Sequence, residues 1–213
     1  MYVFGRRDNM KAFKRTACAL LAVFMLAGLP SCAASAKPFE HDKMTDFCGK
    51  MDFEECSEPD EFFDAYTRMT AGIMDEEGAY ITASGSDAAD VYNLFMNRFT
   101  DMPSYDVDES TVFAFSGDDG FFMGFVFTFE SSKEAGKFYK RFARKFIDDG
   151  KETEEKGCTY ALSANWETDD QAILYGVYLK DDTVLIVRGI CSDTGLADGL
   201  CKTYGVKSPS GEL

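Results

Sequence analysis

The one histidine in this 213-residue chain is His41. Imidazole is the usual base that activates a serine or cysteine nucleophile, so a Ser-His-Asp or Cys-His arrangement would have to recruit that one residue. Cys48 follows seven positions later and can share a helical face with it, but a solvent-exposed His41 is the simpler expectation. Sites built on several imidazoles are excluded by count. Among carboxylates, Asp106, Asp108 and Glu109, and Asp118 with Asp119, offer oxygen ligands for calcium. Neither run continues as the calcium loop with a central glycine and a terminal glutamate. Asp148, Asp149, Glu152, Glu154 and Glu155 read as a solvated connection. Gly117-Asp118-Asp119-Gly120 puts acid where a phosphate would sit, so no Gly-rich anion cradle is present and neither cofactor nor metal is expected.

Cysteine chemistry is equally restricted. Cys18 and Cys32 belong to the N-terminal apolar stretch and its end; the rest are Cys48, Cys56, Cys158, Cys191 and Cys201. Short loops favour Cys48 with Cys56 and Cys191 with Cys201 as disulfides in an oxidising compartment, although five thiols leave at least one free. No two of these five show the two-residue spacing of a zinc knuckle or redox pair. Trp166, beside Asn165, reads as a tryptophan at a sheet edge covering the core rather than as a sugar platform.

One group of charges departs from its surroundings. Lys133, Lys137, Lys140, Arg141, Arg144 and Lys145 fall within thirteen positions. At about 100° per residue they occupy one side of a helix whose other side carries Ala135, Phe138, Tyr139, Phe142 and Phe146. Such a face can dock an acidic partner protein or an anionic wall polymer; the alternative is an ordinary solvated face that balances acidic loops.

The elements that must carry these residues follow from periodicity. The stretch 42–77 is acidic with interspersed Phe, Tyr and Met and fits two short helices, the second opening at Ser57 with Pro59 in its first turn. A strand at 79–83 precedes a helix capped near Ser86, with Ala88, Val91, Tyr92, Phe95, Met96 and Phe99 at helical spacing. Strands at 111–116 and 121–130 form a hairpin, the second with Phe121, Met123, Phe125, Phe127 and Phe129 on one face. The basic helix spans 132–147. Strands at 158–166, 171–179 and 183–190 follow, then a helix over 192–204 that stops at Gly205. A shift of 47 residues superposes Ala88, Tyr92 and Phe95 on Ala135, Tyr139 and Phe142, and Phe113-Ala114 on Tyr160-Ala161. This recurrence reads as a duplicated helix-strand unit. The expected fold class is α+β: a mainly antiparallel sheet of five to six strands with helices packed on one face.

The N-terminus sets the location. Arg6, Arg7, Lys11, Lys14 and Arg15 precede an apolar run that ends near Leu29. The run falls short of the ~20 residues that span a hydrocarbon core. A basic head, a short apolar middle and small residues after it are the parts of a secretory signal. Leu29-Pro30-Ser31-Cys32 resembles the lipobox of bacterial lipoprotein precursors, with Pro30 departing from the usual small residue. The resemblance covers residues 1–32 only and implies that Cys32 accepts lipid. Ala34-Ser35-Ala36 is a competing site that would release a soluble chain starting at Lys37. The expected organisation is a signal peptide at 1–31, a tether at 32–41, one α+β domain at 42–208 and a flexible tail at 209–213.

Removing residues 1–31 takes five of the 22 basic and one of the 37 acidic residues, leaving a formal net charge of −19. Such a surface repels nucleic-acid phosphates and anionic headgroups, so no nucleic-acid partner is expected and any membrane attachment comes from the lipid. The residue types favour an extracellular, envelope-anchored, non-catalytic binding module on the outer face of the cytoplasmic membrane or in the cell envelope. The alternative is a secreted or anchored hydrolase that uses paired carboxylates, with calcium.

Overall fold

The computed structural model describes residues 37–72, 76–97, 100–147, 151–168 and 170–213. The signal, the lipobox with Cys32, and the competing site before Lys37 lie outside the described residues. The elements run α1 (His41–Lys50), β1 (Glu54–Glu55), α2 (Pro59–Thr70), β2 (Glu77–Ser84), α3 (Ser86–Tyr92), a π-helical turn (Asn93–Asn97), β3 (Val107–Gly117) and β4 (Gly120–Phe129). They continue through α4 (Ser132–Phe146), β5 (Thr153–Glu155), β6 (Cys158–Trp166), β7 (Ala172–Lys180), β8 (Thr183–Cys191), α5 (Gly195–Tyr204) and a 3₁₀ turn (Pro209–Glu212).

The class is α+β, built on one mixed sheet in the order β1-β2-β3-β4-β8-β7-β6-β5. Only β1 and β2 pair in parallel; every other neighbouring pair is antiparallel. The sheet has eight strands rather than five to six. The two additions, Glu54–Glu55 and Thr153–Glu155, lie at its two edges. They are short and acidic, with no apolar alternation to mark them, which is also how natural sheets protect their edges.

Helices cover both faces of the sheet, not one. In β4, Met123, Phe125, Phe127 and Phe129 face a core shared with α2, α3, the π-helical turn and α4. The intervening Phe122 and Val126 face a second core with α1 and α5. Central strands β4 and β8 are buried along most of their length on both sides, so each face needs a cover. Gly124 makes the second contact possible: a Cβ there would run into the Phe113 ring and lie 2.9 Å from Leu200 of α5.

The 47-residue recurrence is not a structural repeat. Phe113 and Tyr160 do face the same core, as do Ala114 and Ala161. However, β3 leads into β4 toward the sheet centre from one side, and β6 leads into β7 toward it from the other. Both preceding helices, α3 and α4, lie on the same face. β3 and β6 also run in the same direction, and a rotation that reverses the lateral direction while keeping the strand direction exchanges faces, so no rotation superposes the two units. Two helices and two strands that meet the same core converge on the same apolar spacing without duplication.

Residues 39–41 and 209–210 are anchored to the domain rather than part of a tether and a flexible tail. Phe39 is 2% exposed, its backbone N–H donates to Thr183 Oγ1 at 2.8 Å, and its ring meets Tyr204 edge-on at 5.6 Å. His41 already belongs to α1 and is buried. At the other end Pro209 is buried, and Ser210 Oγ donates to Asp198 at 2.6 Å.

Candidate functional site

α4 forms because its sequence combines an N-terminal cap with an apolar stripe at helical spacing. The Ser131 side chain accepts the Glu134 N–H at 3.4 Å, which caps the first turn. Ala135, Phe138, Tyr139, Phe142 and Ala143 are buried at helical spacing. Phe138 packs against Phe129 at 5.1 Å and Phe142 at 5.8 Å between ring centres. That apolar contact fixes the rotation of the helix and turns all six cations outward: Lys133, Lys137, Lys140, Arg141, Arg144 and Lys145 are exposed.

Five of them line one shallow concavity of about 700 Å³: Lys137, Lys140, Arg141, Arg144 and Lys145. Its opposite wall is Asp101 and Tyr105, from the connection between the π-helical turn and β3. Lys133 lies outside it. Two of the five have carboxylate partners, Lys137 with Glu134 at 2.5 Å and Lys145 with Asp101 at 3.6 Å. Lys140, Arg141 and Arg144 have none among the described residues. Arg144 and Lys145 complement the negative end of the α4 dipole. Lys137 is balanced by Glu134 one turn earlier, but Lys140 and Arg141 have no such local reason, and like charges at helical i, i+3 and i, i+4 spacing weaken a helix. The Tyr105 ring is wedged among Tyr92, Phe129 and Phe138. Burial raises its phenol above the ordinary value, and the positive field of Arg141 opposes that rise.

Such a surface can offer an exposed positive charge to several anionic groups at once. Among the described residues that line it there is no nucleophile or acid–base pair. Tyr105 and Asp101 carried no signal in the sequence, because a loop far from α4 in spacing brings them there. Arg188 did carry one, as the lone charge in the apolar strand β8. Its guanidinium lies 5.5 Å from the Tyr175 ring centre. The cavity beside it, of about 20 Å³, has room for about one water and no larger ligand.

The other sequence candidates are structural. His41 is not solvent-exposed but 8% exposed, with Nδ1 hydrogen-bonded to Thr111 Oγ1 at 2.8 Å and Nε2 to Thr128 Oγ1 at 2.9 Å. Both ring nitrogens are thereby occupied by sheet hydroxyls, so no dyad with Cys48 forms. Glu109 Oε2 lies 3.7 Å from Nε2, and Thr111 is fully buried, so the Glu-His-Thr sequence of contacts has no substrate-accessible hydroxyl at Thr111. Burial lowers the imidazole to about 4.

All five described cysteines are free and buried. Cys48 and Cys56 pack into opposite cores, which forbids their pairing. Cys191 and Cys201 share a core but remain unbonded. Burial pushes Cys48 up to about 12 and Cys56, Cys158, Cys191 and Cys201 up to about 11, so each is a neutral thiol and a poor nucleophile.

Asp108 and Glu109 lie on β3, while Asp118 and Asp119 form the turn into β4. Among the described residues no three His, Cys, Asp or Glu side chains are grouped to hold a metal ion. Trp166 does not cover the core; it is 55% exposed at the end of β6, opposite Ala172 of β7.

No family model matches the chain, and no curated protein matches it. Among solved structures it is similar to the extracellular domain of PknH from Mycobacterium tuberculosis. The two are 9% identical over 80% of this chain and 97% of that one, with a TM-score of 0.42, a likeness too slight to carry a function across.

Proposed function

We propose that this protein is an exported, lipid-anchored envelope module that binds an anionic wall polymer through the cationic side of α4, without catalysis. The observation that carries the reading is the concavity lined by Lys137, Lys140, Arg141, Arg144 and Lys145 with Asp101 as its one lining carboxylate among the described residues, on a chain of formal net charge −15. A wall polymer fits better than an acidic protein because the lining offers repeated single charges with Tyr105 as its one aromatic. Protein interfaces centre on a buried apolar patch, which this surface lacks. Anchoring rests on the lipobox-like Leu29-Pro30-Ser31-Cys32. Among the described residues no helix is long and apolar enough to cross a membrane.

Two experiments test the reading. The variant Lys137→Glu/Lys140→Glu/Arg144→Glu, whose side chains are all exposed, should fold normally and lose binding to a poly(glycerol phosphate) wall polymer. Unchanged binding by the folded variant would refute the site. Mass spectrometry of the mature N-terminus should find a lipid on Cys32, and Cys32→Ala should release the chain from membranes. An unmodified chain starting at Lys37 would refute the anchor while leaving the binding face untouched.

A further inference from the structure

The opposite side of the molecule holds a groove of different chemistry. The C-terminal end of α1, the hairpin end of β3 and β4, and the first turns of α5 enclose a volume of about 350 Å³. Its apolar surface comes from Phe47, Phe115, Phe122 and Leu196, with Met51 at the mouth, 44% exposed. Glu76, Asp119 and Asp193 form the rim. The groove is open because α5 presents Gly195 and Gly199 to it rather than side chains; a Cβ at Gly199 would only reach contact with Phe47, at 3.4 Å.

We propose that this groove binds a partner-protein segment that inserts a bulky apolar side chain flanked by lysine or arginine. The size falls in the range of about 300–1,000 Å³ typical of preformed ligand sites, with an apolar interior and few polar groups at the edge. The charge specifies the flanks. None of Glu76, Asp119 and Asp193 has a basic partner within ion-pair distance among the described residues, and all three are exposed. Asp193 Oδ1 accepts the Gly195 N–H at 2.6 Å, so a carboxylate already sits at the start of α5 and disfavours an anion there. The negative field reaches inward: Cys191, the strand partner of Gly120, is raised first by burial and then by Asp193, Asp198 and Asp119. An acidic or neutral segment would leave these carboxylates facing like charge or nothing. The cationic face of α4 lies across the sheet in the other helical layer, so the two surfaces can be occupied together.

The test uses the full chain with three short synthetic peptides of equal length: alternating Lys and Leu, alternating Glu and Leu, and Lys alone. The Lys–Leu peptide should bind at least about tenfold more tightly than the all-Lys peptide, and the Glu–Leu peptide should not bind. Leu196→Asp, at a half-buried wall position, should abolish the advantage of Lys–Leu over all-Lys. Glu76→Lys/Asp119→Lys should weaken Lys–Leu binding by about tenfold, whereas the same reversal at Glu154 and Glu155 on the far edge strand should leave it unchanged. Gly199→Ala places a methyl in the groove at a helix position that alanine favours, so it should raise the melting temperature while weakening the peptide. Equal binding of Lys–Leu and all-Lys, equal weakening by the two charge reversals, or no binding of Lys–Leu would each overturn the proposal.

Discussion

Acidification from pH 7 to pH 4 should destabilise this protein through His41. The neutral imidazole supplies one donor and one acceptor, which match the Thr111 and Thr128 hydroxyls at 2.8 and 2.9 Å. Thr111 is itself held by Thr82 at 3.0 Å, so helix α1 is tied to β2, β3 and β4 through one ring. Burial lowers His41 from 6.5 to about 4, while the unfolded chain keeps the ordinary value. Between those two values the unfolded state binds more protons, so stability falls as pH falls through that window and levels off below about 4. The difference corresponds to about 3 kcal/mol, with a steepest slope of about 1.4 kcal/mol per pH unit. This is an upper figure, because Glu109, 42% exposed and 3.7 Å from Nε2, offers the imidazolium a solvent-screened counter-charge. Urea unfolding of the wild-type chain and of His41→Gln from pH 7 to 4 isolates the effect, since other carboxylates titrate in both. The wild type should lose up to about 3 kcal/mol more than the variant. Parallel curves, or an imidazole that titrates near 6.5 by NMR in the folded protein, would refute the reasoning.

Gly124→Ala should cost about 1–3 kcal/mol in chemical unfolding, because its Cβ would run into the Phe113 ring and crowd Leu200; a neutral effect would mean that α5 is not pressed onto β4. The five described thiols, all buried and raised, should react with a thiol reagent only under denaturing conditions. Rapid labelling of any of them in the folded chain would contradict the packing described above.

Much of the fold was legible because its signals are local. α4 declares itself through Ala135, Phe138, Tyr139 and Phe142, and the residues between them include the cations that form its exposed basic face. The internal strands were readable from apolar runs bounded by turns such as Gly117-Asp118-Asp119-Gly120. The edge strands were not, because Glu54–Glu55 and Thr153–Glu155 are placed by pairing with β2 and β6 and carry no pattern of their own. Two-sided cover was present in the sequence of β4, where Phe122 and Val126 alternate with Met123, Phe125 and Phe127. The run of phenylalanines on one face of that strand dominates its pattern and masks the second core. Phe39 and His41 were unreadable for a different reason: their partners Thr183, Tyr204, Thr111 and Thr128 are distant in sequence, and small polar neighbours disguise them as a tether.

The candidate site divides the same way. Helical period alone puts Lys137, Lys140, Arg141, Arg144 and Lys145 on one side. That they face a concavity depends on the loop carrying Asp101 and Tyr105, whose position is set by Tyr105 packing against Tyr92, Phe129 and Phe138. The acidic-rimmed groove is less legible still. It needs Phe47, Phe115, Phe122 and Leu196 to converge from three parts of the chain, and two glycines of α5 that leave the space open.

The most direct test of the central claim is the salt dependence of poly(glycerol phosphate) binding, measured at equilibrium over a series of salt concentrations. If that polymer behaves as a flexible single-stranded polyanion, five engaged cations predict a slope of log K against log salt of roughly −3.5. The Lys137→Glu/Lys140→Glu/Arg144→Glu variant should show no measurable binding. A slope near zero, or a variant that binds as the wild type does, would contradict the account.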